Sequence, residues 1–384
     1  MKKKPTIGIG ERSLALHKKY NGKFAIRGKI PLDTMDDLSL AYTPGVGAVS
    51  SYLARHKKKT REYTMTGNSV AVVSDGSAVL GLGNIGPEGA LPVMEGKCLL
   101  FKKFANIDAV PIVLATQDTE EIIRTVKAIA PGFGGINLED ISAPRCFTIE
   151  ARLKKELAIP VMHDDQHGTA IIVLAGLLNA LRVVDKKLTR VKIVVSGAGA
   201  AGNAVVKILL EEGAENILVT DRSGVISRNR PGLTDDKKEL ALITNKDREI
   251  GSIGDALVRA DIFIGVSGPG IITENMIRTM APRAIVCALA NPIPEIFPDV
   301  ALRAGAAIVA TGRSDFPNQL NNALVFPGVF RGALDHRVRK ITDTMKRRAA
   351  HAIAHLIPHP TARRIVPQIF DPRIVPAVAK SIRA

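Results

Sequence analysis

Tryptophan is absent from this 384-residue chain, and aromatic residues of all kinds make up only 4% of it. So little aromatic surface argues against stacking of sugars or single-stranded bases. Cysteine is nearly as scarce: Cys98, Cys146 and Cys287 cannot all pair with one another, and no CxxC spacing is present. No uninterrupted apolar run approaches the roughly 20 residues of a membrane span; the longest is Ala170–Leu178. The opening MKKKPTIGIG has lysines but no apolar stretch behind them, so no secretory leader is expected. A reduced, cytoplasmic protein without a membrane partner is the expectation.

What is present is apolar and basic. Hydrophobic residues make up 46% and glycine occurs 33 times, which suits sizeable cores and close packing of helices on sheets. A chain of this length suggests two domains. Lysine and arginine total 53 against 37 acids, a formal charge of +16. The basic residues are dispersed, with modest clusters at His56–Arg61 and Arg337–Arg348, and no nucleic-acid motif accompanies them. The second cluster lies in a helical pattern and reads as a solvated face. A positive field that gathers anionic small molecules is the simpler explanation, and no nucleic-acid partner is expected.

Two blocks of alternating strand and helix are expected. In the first, short apolar runs at Val70–Ser74, Ala109–Ala115, Gly135–Leu138 and Pro160–His163 are separated by helical stretches such as Thr119–Ala130 and Ala143–Leu157. Apolar strands without alternation indicate sheets covered on both faces. A long apolar helix, Thr169–Val184, leads into the second block. Its strands are expected at Val191–Ser196, Asn216–Asp221, Ala260–Val266, Ala284–Leu289 and Ala307–Ala310. The fold class is thus α/β: an N-terminal α/β catalytic domain over 1–162, and a doubly wound dinucleotide-binding domain over 163–384 that ends in a helical tail. With no repeat and no low-complexity linker, the boundary near His163 reads as a hinge between packed domains.

The second block opens with VKIVVS followed by GAGAAG, comprising Gly197, Ala198, Gly199, Ala200, Ala201 and Gly202. Glycines there permit a tight turn, close approach of the backbone to a pyrophosphate, and close helix–strand contact. The helix N-terminus supplies free N–H groups and a favourable dipole. Asp221, which ends the next strand, is positioned to accept from the adenosine ribose. Arg222 beside it could meet a 2′-phosphate, so Asp221 speaks for NAD and Arg222 for NADP, and the balance leans narrowly to NAD.

A second signal is acidic: LEDI at Leu138–Ile141 and HDD at His163–Asp165, each where a strand of the first block ends. Strand carboxyl ends of parallel sheets face the functional crevice. Glu139, Asp140 and one of Asp164 and Asp165 could converge as three carboxylates, which would repel one another unless a cation sat among them. Oxygen donors alone favour Mg²⁺ or Mn²⁺ over zinc. Acidic pairs at strand ends are also ordinary caps and solvated loops. Tyr42 in AYTPG and Lys97 in VMEGK are unremarkable by themselves.

Taken together, DLSLAYTPGV, SVAVVSDGSAVLGLGNIGPEGALPVMEGK, INLEDI, HDDQHGTA, GAGAAG, ANPIPEIFP, TGRSDFPNQLNN, FPGVFRGAL and IVPQIFDPRIVPAVA resemble, in order and spacing, the short bacterial and archaeal form of the malic enzyme family. The resemblance implies oxidative decarboxylation of malate to pyruvate and CO₂ with NAD or NADP and Mg²⁺ or Mn²⁺, in a homodimer. It implies Tyr42 as general acid, Lys97 as general base, and Glu139, Asp140 and Asp165 as metal ligands. Asp164 would orient Lys97. Asn291, Asn321 and Asn322 would contact the dicarboxylate and the nicotinamide end. Where the animal and plant branch has an arginine for a substrate carboxylate, this chain has Ala78. A malolactic enzyme, which releases lactate, and a non-catalytic dinucleotide sensor are the rival expectations.

Overall fold

The computed structural model describes residues 8–383. Its first sheet contains β1 (Ser69–Ser74), β2 (Asp108–Val113), β3 (Gly135–Leu138) and β4 (Val161–His163), all parallel, in the order β2-β1-β3-β4. The second contains β5 (Lys192–Ser196), β6 (Asn216–Asp221), β7 (Gly224–Val225), β8 (Ile262–Gly265), β9 (Ile285–Ala288) and β10 (Ile308–Thr311), in the order β10-β9-β8-β5-β6-β7. Only β7 is antiparallel there. It is a two-residue return from β6, too short to leave a periodic signal, and the sequence gives no warning of it. The strand order reverses beside β5, the topological position at which such sheets bind ligands.

Alternation within each strand explains how one chain builds three cores. Ile193, Val195, Ile217, Val219, Ile262 and Ile264 face a central core, whereas Val194, Leu218, Phe263 and Val286 face an outer one. The first sheet does the same: Val70 and Val72 point to the central core, and Ala71, Val73, Ile136 and Leu138 to a third. The central core is therefore shared by both sheets.

The helix Asp164–Val184 runs through it, buried without interruption from Ala170 to Leu177. By length and composition alone this helix could cross a membrane, yet 72% of its apolar window is buried inside the protein. It begins five residues earlier than the apolar pattern suggested, because Asp164 and Asp165 form its first turn directly after β4. Acids are favoured at that end by the helix dipole. The chain thus passes from the first sheet to the second without a linker.

Residues 326–382 are not confined to the second sheet. Phe326 and Phe330 pack edge-on against Phe101, with ring centroids 4.7 and 5.5 Å away. Arg331 donates to Asn68 (2.7 Å) and Arg61 to the carbonyl of Leu334 (3.0 Å). The expected solvated basic face at Arg337–Arg348 needs one correction: Lys346 is buried and paired with Asp343 at 2.7 Å. By contrast, none of residues 8–65 is buried.

Candidate active site

Strand register brings the acids together. Val73 pairs with Leu138, and Leu138 with His163, so β1, β3 and β4 end level with one another. The next residue after β3 is Glu139 and the next after β4 is Asp164. Lys97 approaches from the helix Gly86–Ala105, where it shares the buried stripe of Ala90, Met94, Cys98 and Phe101. Its Nζ lies 2.6 Å from Asp164 Oδ2 and 2.7 Å from Glu139 Oε1, and 4.3 Å from the centre of the Phe326 ring. Asn137 donates to the other oxygen of Glu139 at 2.9 Å. All of these groups are buried.

Beside that ion cluster, Glu139, Asp140 and Asp165 each offer an oxygen, and these lie within 4.8 Å of one another. Asp140 takes a left-handed backbone (φ 54°), and its N–H donates to Asp165 Oδ2 at 2.7 Å. Three hard oxygen donors at this spacing fit a divalent cation such as Mg²⁺ or Mn²⁺. Ala78, in the loop after β1, donates its N–H to the carbonyl of Asp140 at 2.9 Å. It therefore borders the cluster without offering it a charge.

Burial dominates the electrostatics. It raises the Glu139 carboxyl to about 7 against the pull of Lys97, with Asp165 adding to the rise. It raises Asp164 to about 7 as well, and lifts Asp165. Burial alone would lower a lysine, but Asp164, Glu139 and Asp165 outweigh it and hold Lys97 above its ordinary value.

The glycine-rich turn has the geometry its sequence promised. Gly197 has φ +113°, and a Cβ there would stand 2.7 Å from the carbonyl of Val266. A Cβ on Gly202 would collide with the Gly197 carbonyl, so the third glycine is needed for helix–strand contact. Gly199 faces open space, which leaves its backbone approachable by a ligand. Ala198 is buried, and Ala200 and Ala201 open the helix Ala200–Glu211. A cleft of about 840 Å³ adjoins this turn, lined by Gly197, Gly199, Asp221, Arg222 and Lys237 among others. Asp221 is not the free acceptor expected of it, because Arg230 and Lys237 pair with it at 2.5 and 2.7 Å.

The remaining candidates are less tightly assembled. Asn322 abuts the N-terminal part of the Asp164–Val184 helix: a Cβ on Gly168 would lie 3.0 Å from its own Cβ. Asn321 uses its side chain to cap the short turn Asn322–Leu324, accepting from Ala323 at 2.8 Å. Asn291 follows β9, half-buried, beside Gly81 and Gly312. Tyr42 stands apart. It follows the helix Met35–Ala41, is 67% exposed, and makes no side-chain hydrogen bond to the Lys97 cluster.

Family models decide the identity: "Malic enzyme, N-terminal domain" matches residues 22–154 and "Malic enzyme, NAD binding domain" matches 166–382. The chain belongs to the malic enzyme family. It is 53% identical to the bifunctional malic/malolactic enzyme of Bacillus subtilis over 98% of this chain and 92% of that protein. Identity is also 53% to the NAD-dependent malic enzyme of Geobacillus stearothermophilus, over 98% of this chain and 78% of that one. Its fold is similar to that of the NAD-dependent malic enzyme of Thermotoga maritima, with TM-score 0.94 and 50% identity across 97% of this chain and 99% of the other. The NADP-dependent malic enzyme of Escherichia coli is 46% identical over 94% of this chain and 50% of its own length. The chain is an oxidoreductase of this family that uses NAD or NADP.

Two residues that support the site, Asn137 and Glu150, escaped the sequence reading. Asn137 is two residues before Glu139, on the same face of β3, a spacing that could have flagged it. Lys97 lies on an apolar helical stripe, which marks its burial without the resemblance. Glu150 accepts from the His163 N–H (3.0 Å) and pairs with His167 (2.9 Å), bracing the start of the Asp164–Val184 helix. No local pattern announces it.

Proposed function

We propose that this enzyme oxidatively decarboxylates malate to pyruvate and CO₂ with reduction of NAD(P), using a divalent metal ion at Glu139, Asp140 and Asp165. The observation that carries the reading is Lys97, buried between Asp164 and Glu139 at the edge of the three-carboxylate cluster. A bound divalent cation supplies Lewis-acid stabilisation of negative charge on the substrate oxygens. Lys97 takes the C2 hydroxyl proton as C2 loses hydride to the nicotinamide. Asp164 holds Lys97 in place, and Asn291, Asn321 and Asn322 orient the dicarboxylate and the nicotinamide end. Loss of the C4 carboxyl as CO₂ leaves an enolate, and Tyr42 returns a proton to C3.

Lys97 must be neutral to act as base. A cation held by Glu139 and Asp165 would offset the charges that keep the lysine protonated, leaving burial to lower its pKa. The two domains divide next to 162/163, at the end of β4, with the site on the seam: Lys97, Glu139 and Asp140 from one side, Asp164 and Asp165 from the other.

A homodimer in the cytoplasm is part of this reading. Among residues 8–65, none buried, the large exposed apolar side chains include Ile26, Ile30, Leu32, Met35, Leu40 and Tyr42, a surface that a second copy would cover. The three cysteines are buried and unpaired, as suits a reducing compartment. Tyr42, 67% exposed, would meet the substrate after a rearrangement of residues 8–65 or from a second copy. Activity recovered on mixing Lys97→Ala with Tyr42→Phe chains means the second.

A malolactic reaction is the alternative, favoured by the name of the 53%-identical Bacillus subtilis relative. The test is malate turnover with Mn²⁺, following NAD(P)H and identifying the product. Pyruvate with stoichiometric NAD(P)H supports the proposal, and lactate without free NADH supports the alternative. Full turnover in excess chelator, or a fully active Asp165→Ala variant, rules out the metal assignment.

A further inference from the structure

Glu295 is a wholly buried carboxylate, and among the described residues no lysine, arginine or histidine pairs with it. Taking a charge out of water is costly unless it is paired or hydrogen-bonded. Here backbone amides meet it. Oε1 accepts from the Ser267 N–H and Oε2 from the Ala290 N–H, each at 3.0 Å. Burial raises the carboxyl above its ordinary value, and these N–H groups oppose the rise.

The two amides belong to different loops. Ser267 follows β8 and Ala290 follows β9, and the strands end level, with Gly265 paired to Ala288. The carboxylate therefore bridges neighbouring strand ends. Gly265 makes room for it: a Cβ there would stand 2.6 Å from Glu295 Oε1. Gly265 has no positive φ, so space and not backbone conformation requires the glycine. The main chain adds two bonds between the same loops, from Gly270 to the Pro294 carbonyl (3.1 Å) and from Ile272 to the Glu295 carbonyl (3.2 Å).

Each loop ends on a site already described. Ser267 lines the cleft at the glycine-rich turn, and its hydroxyl lies 3.1 Å from that of Ser196, the residue before Gly197. Ala290 precedes Asn291, which is wedged at the seam. A Cβ on Gly81 would collide with the Asn291 carbonyl, and one on Gly312 would lie 2.7 Å from its Nδ2.

We propose that Glu295 is a positioning residue of this enzyme, a buried clamp that aligns the cofactor wall at Ser267 with the substrate contact at Asn291. The Asn291 half rests on the proposed malate reaction, and the Ser267 half only on a dinucleotide in the cleft. Hydride transfer needs both reactants held in line, and a misplacement of about 1 Å costs about 10²-fold in rate. A neutral amide could not replace the carboxylate, because both oxygens must accept.

The test is Glu295→Gln, which keeps the shape but sets an amide nitrogen where one oxygen faced an N–H. Losing a hydrogen bond to a charged group should lower kcat/KM for malate by about 10–100-fold. In an Asn291→Ala background the same change should cost less than about threefold, because a residue acting through Asn291 has nothing left to position. Gly265→Ala displaces the carboxylate while leaving every clamp residue in place. It is measured in the same two backgrounds and takes over if Glu295→Gln does not fold. A loss of about tenfold or more that falls below about threefold beside Asn291→Ala supports the assignment. Any other pattern, or two variants that do not fold, overturns it. A fully active Asn291→Ala, or a wild type inert toward malate, counts against the malate reading instead. NAD(P)H affinity, read by nucleotide fluorescence without malate, then decides: a fall of about tenfold or more in either variant keeps the clamp, and a smaller one removes it.

Discussion

Asp164 and Asp221 are both set by the end of a parallel strand, and each meets a lysine within 2.7 Å, yet their environments drive them in opposite directions. At Asp164, which is wholly buried, desolvation prevails over Lys97 and raises the carboxyl to about 7. At Asp221 the smaller burial is outweighed by Arg230 and Lys237, and the carboxyl falls to about 2. The first cluster has more acid than base: Glu139, Asp164 and Asp165 face one lysine. The second has more base than acid. An excess of buried negative charge suits a cation, and an excess of half-exposed positive charge suits a phosphate. Charge balance, and not residue type, separates the two sites.

The largest expected effect breaks the buried cluster. Lys97→Ala should lower kcat by about 10²–10⁴-fold with little change in KM, since general acid–base groups contribute on that scale. Cofactor binding, read by NADPH fluorescence, should persist. Near-normal turnover would remove Lys97 from the base role.

Next comes stability. Asp164→Asn leaves Lys97 buried with one carboxylate partner fewer. Breaking a buried pair costs about 3–5 kcal/mol, so urea unfolding in chelator should show a loss approaching that size. Asp221→Asn, in a cluster only partly buried, should cost less, about 1–2 kcal/mol. Equal losses at the two positions would contradict the distinction drawn from burial.

The smallest effect is in pH dependence. Asp221 has a depressed carboxyl, so its stabilising contribution is complete above the ordinary carboxylate range and is lost as pH falls toward about 2. Asp221→Asn should therefore lose stability less steeply than wild type between about pH 4 and pH 2, a comparison that denaturant midpoints can make. Parallel curves would mean that Arg230 and Lys237 do not hold the carboxylate in solution.

Much of this molecule is legible in its residues. Apolar runs without alternation marked nine of the ten strands among the described residues, since a strand buried on both faces must be apolar throughout. GAGAAG between a strand and a helix defined the glycine-rich turn, because only glycine tolerates the backbone at Gly197 and the close contact at Gly202. The acids after β3 and β4 were visible as LEDI and HDD. β7 was missed because two residues carry no period, and the early start of the Asp164–Val184 helix because its first turn is polar.

Composition and local pattern thus determined the sheets, the turn and the list of chemical groups, all of which depend on neighbours within a few residues. Tertiary structure alone decided what those groups experience. Register between β3 and β4 set Glu139 and Asp164 around a lysine that lies 67 positions before Asp164 in the chain. Packing of residues 326–330 against Phe101 sealed that lysine from water. The loop and helix after β6 delivered Arg230 and Lys237 to Asp221, turning a ribose acceptor into a neutralised carboxylate. A side chain's charge is written in the sequence, but the solvent it loses and the ion it meets belong to the fold.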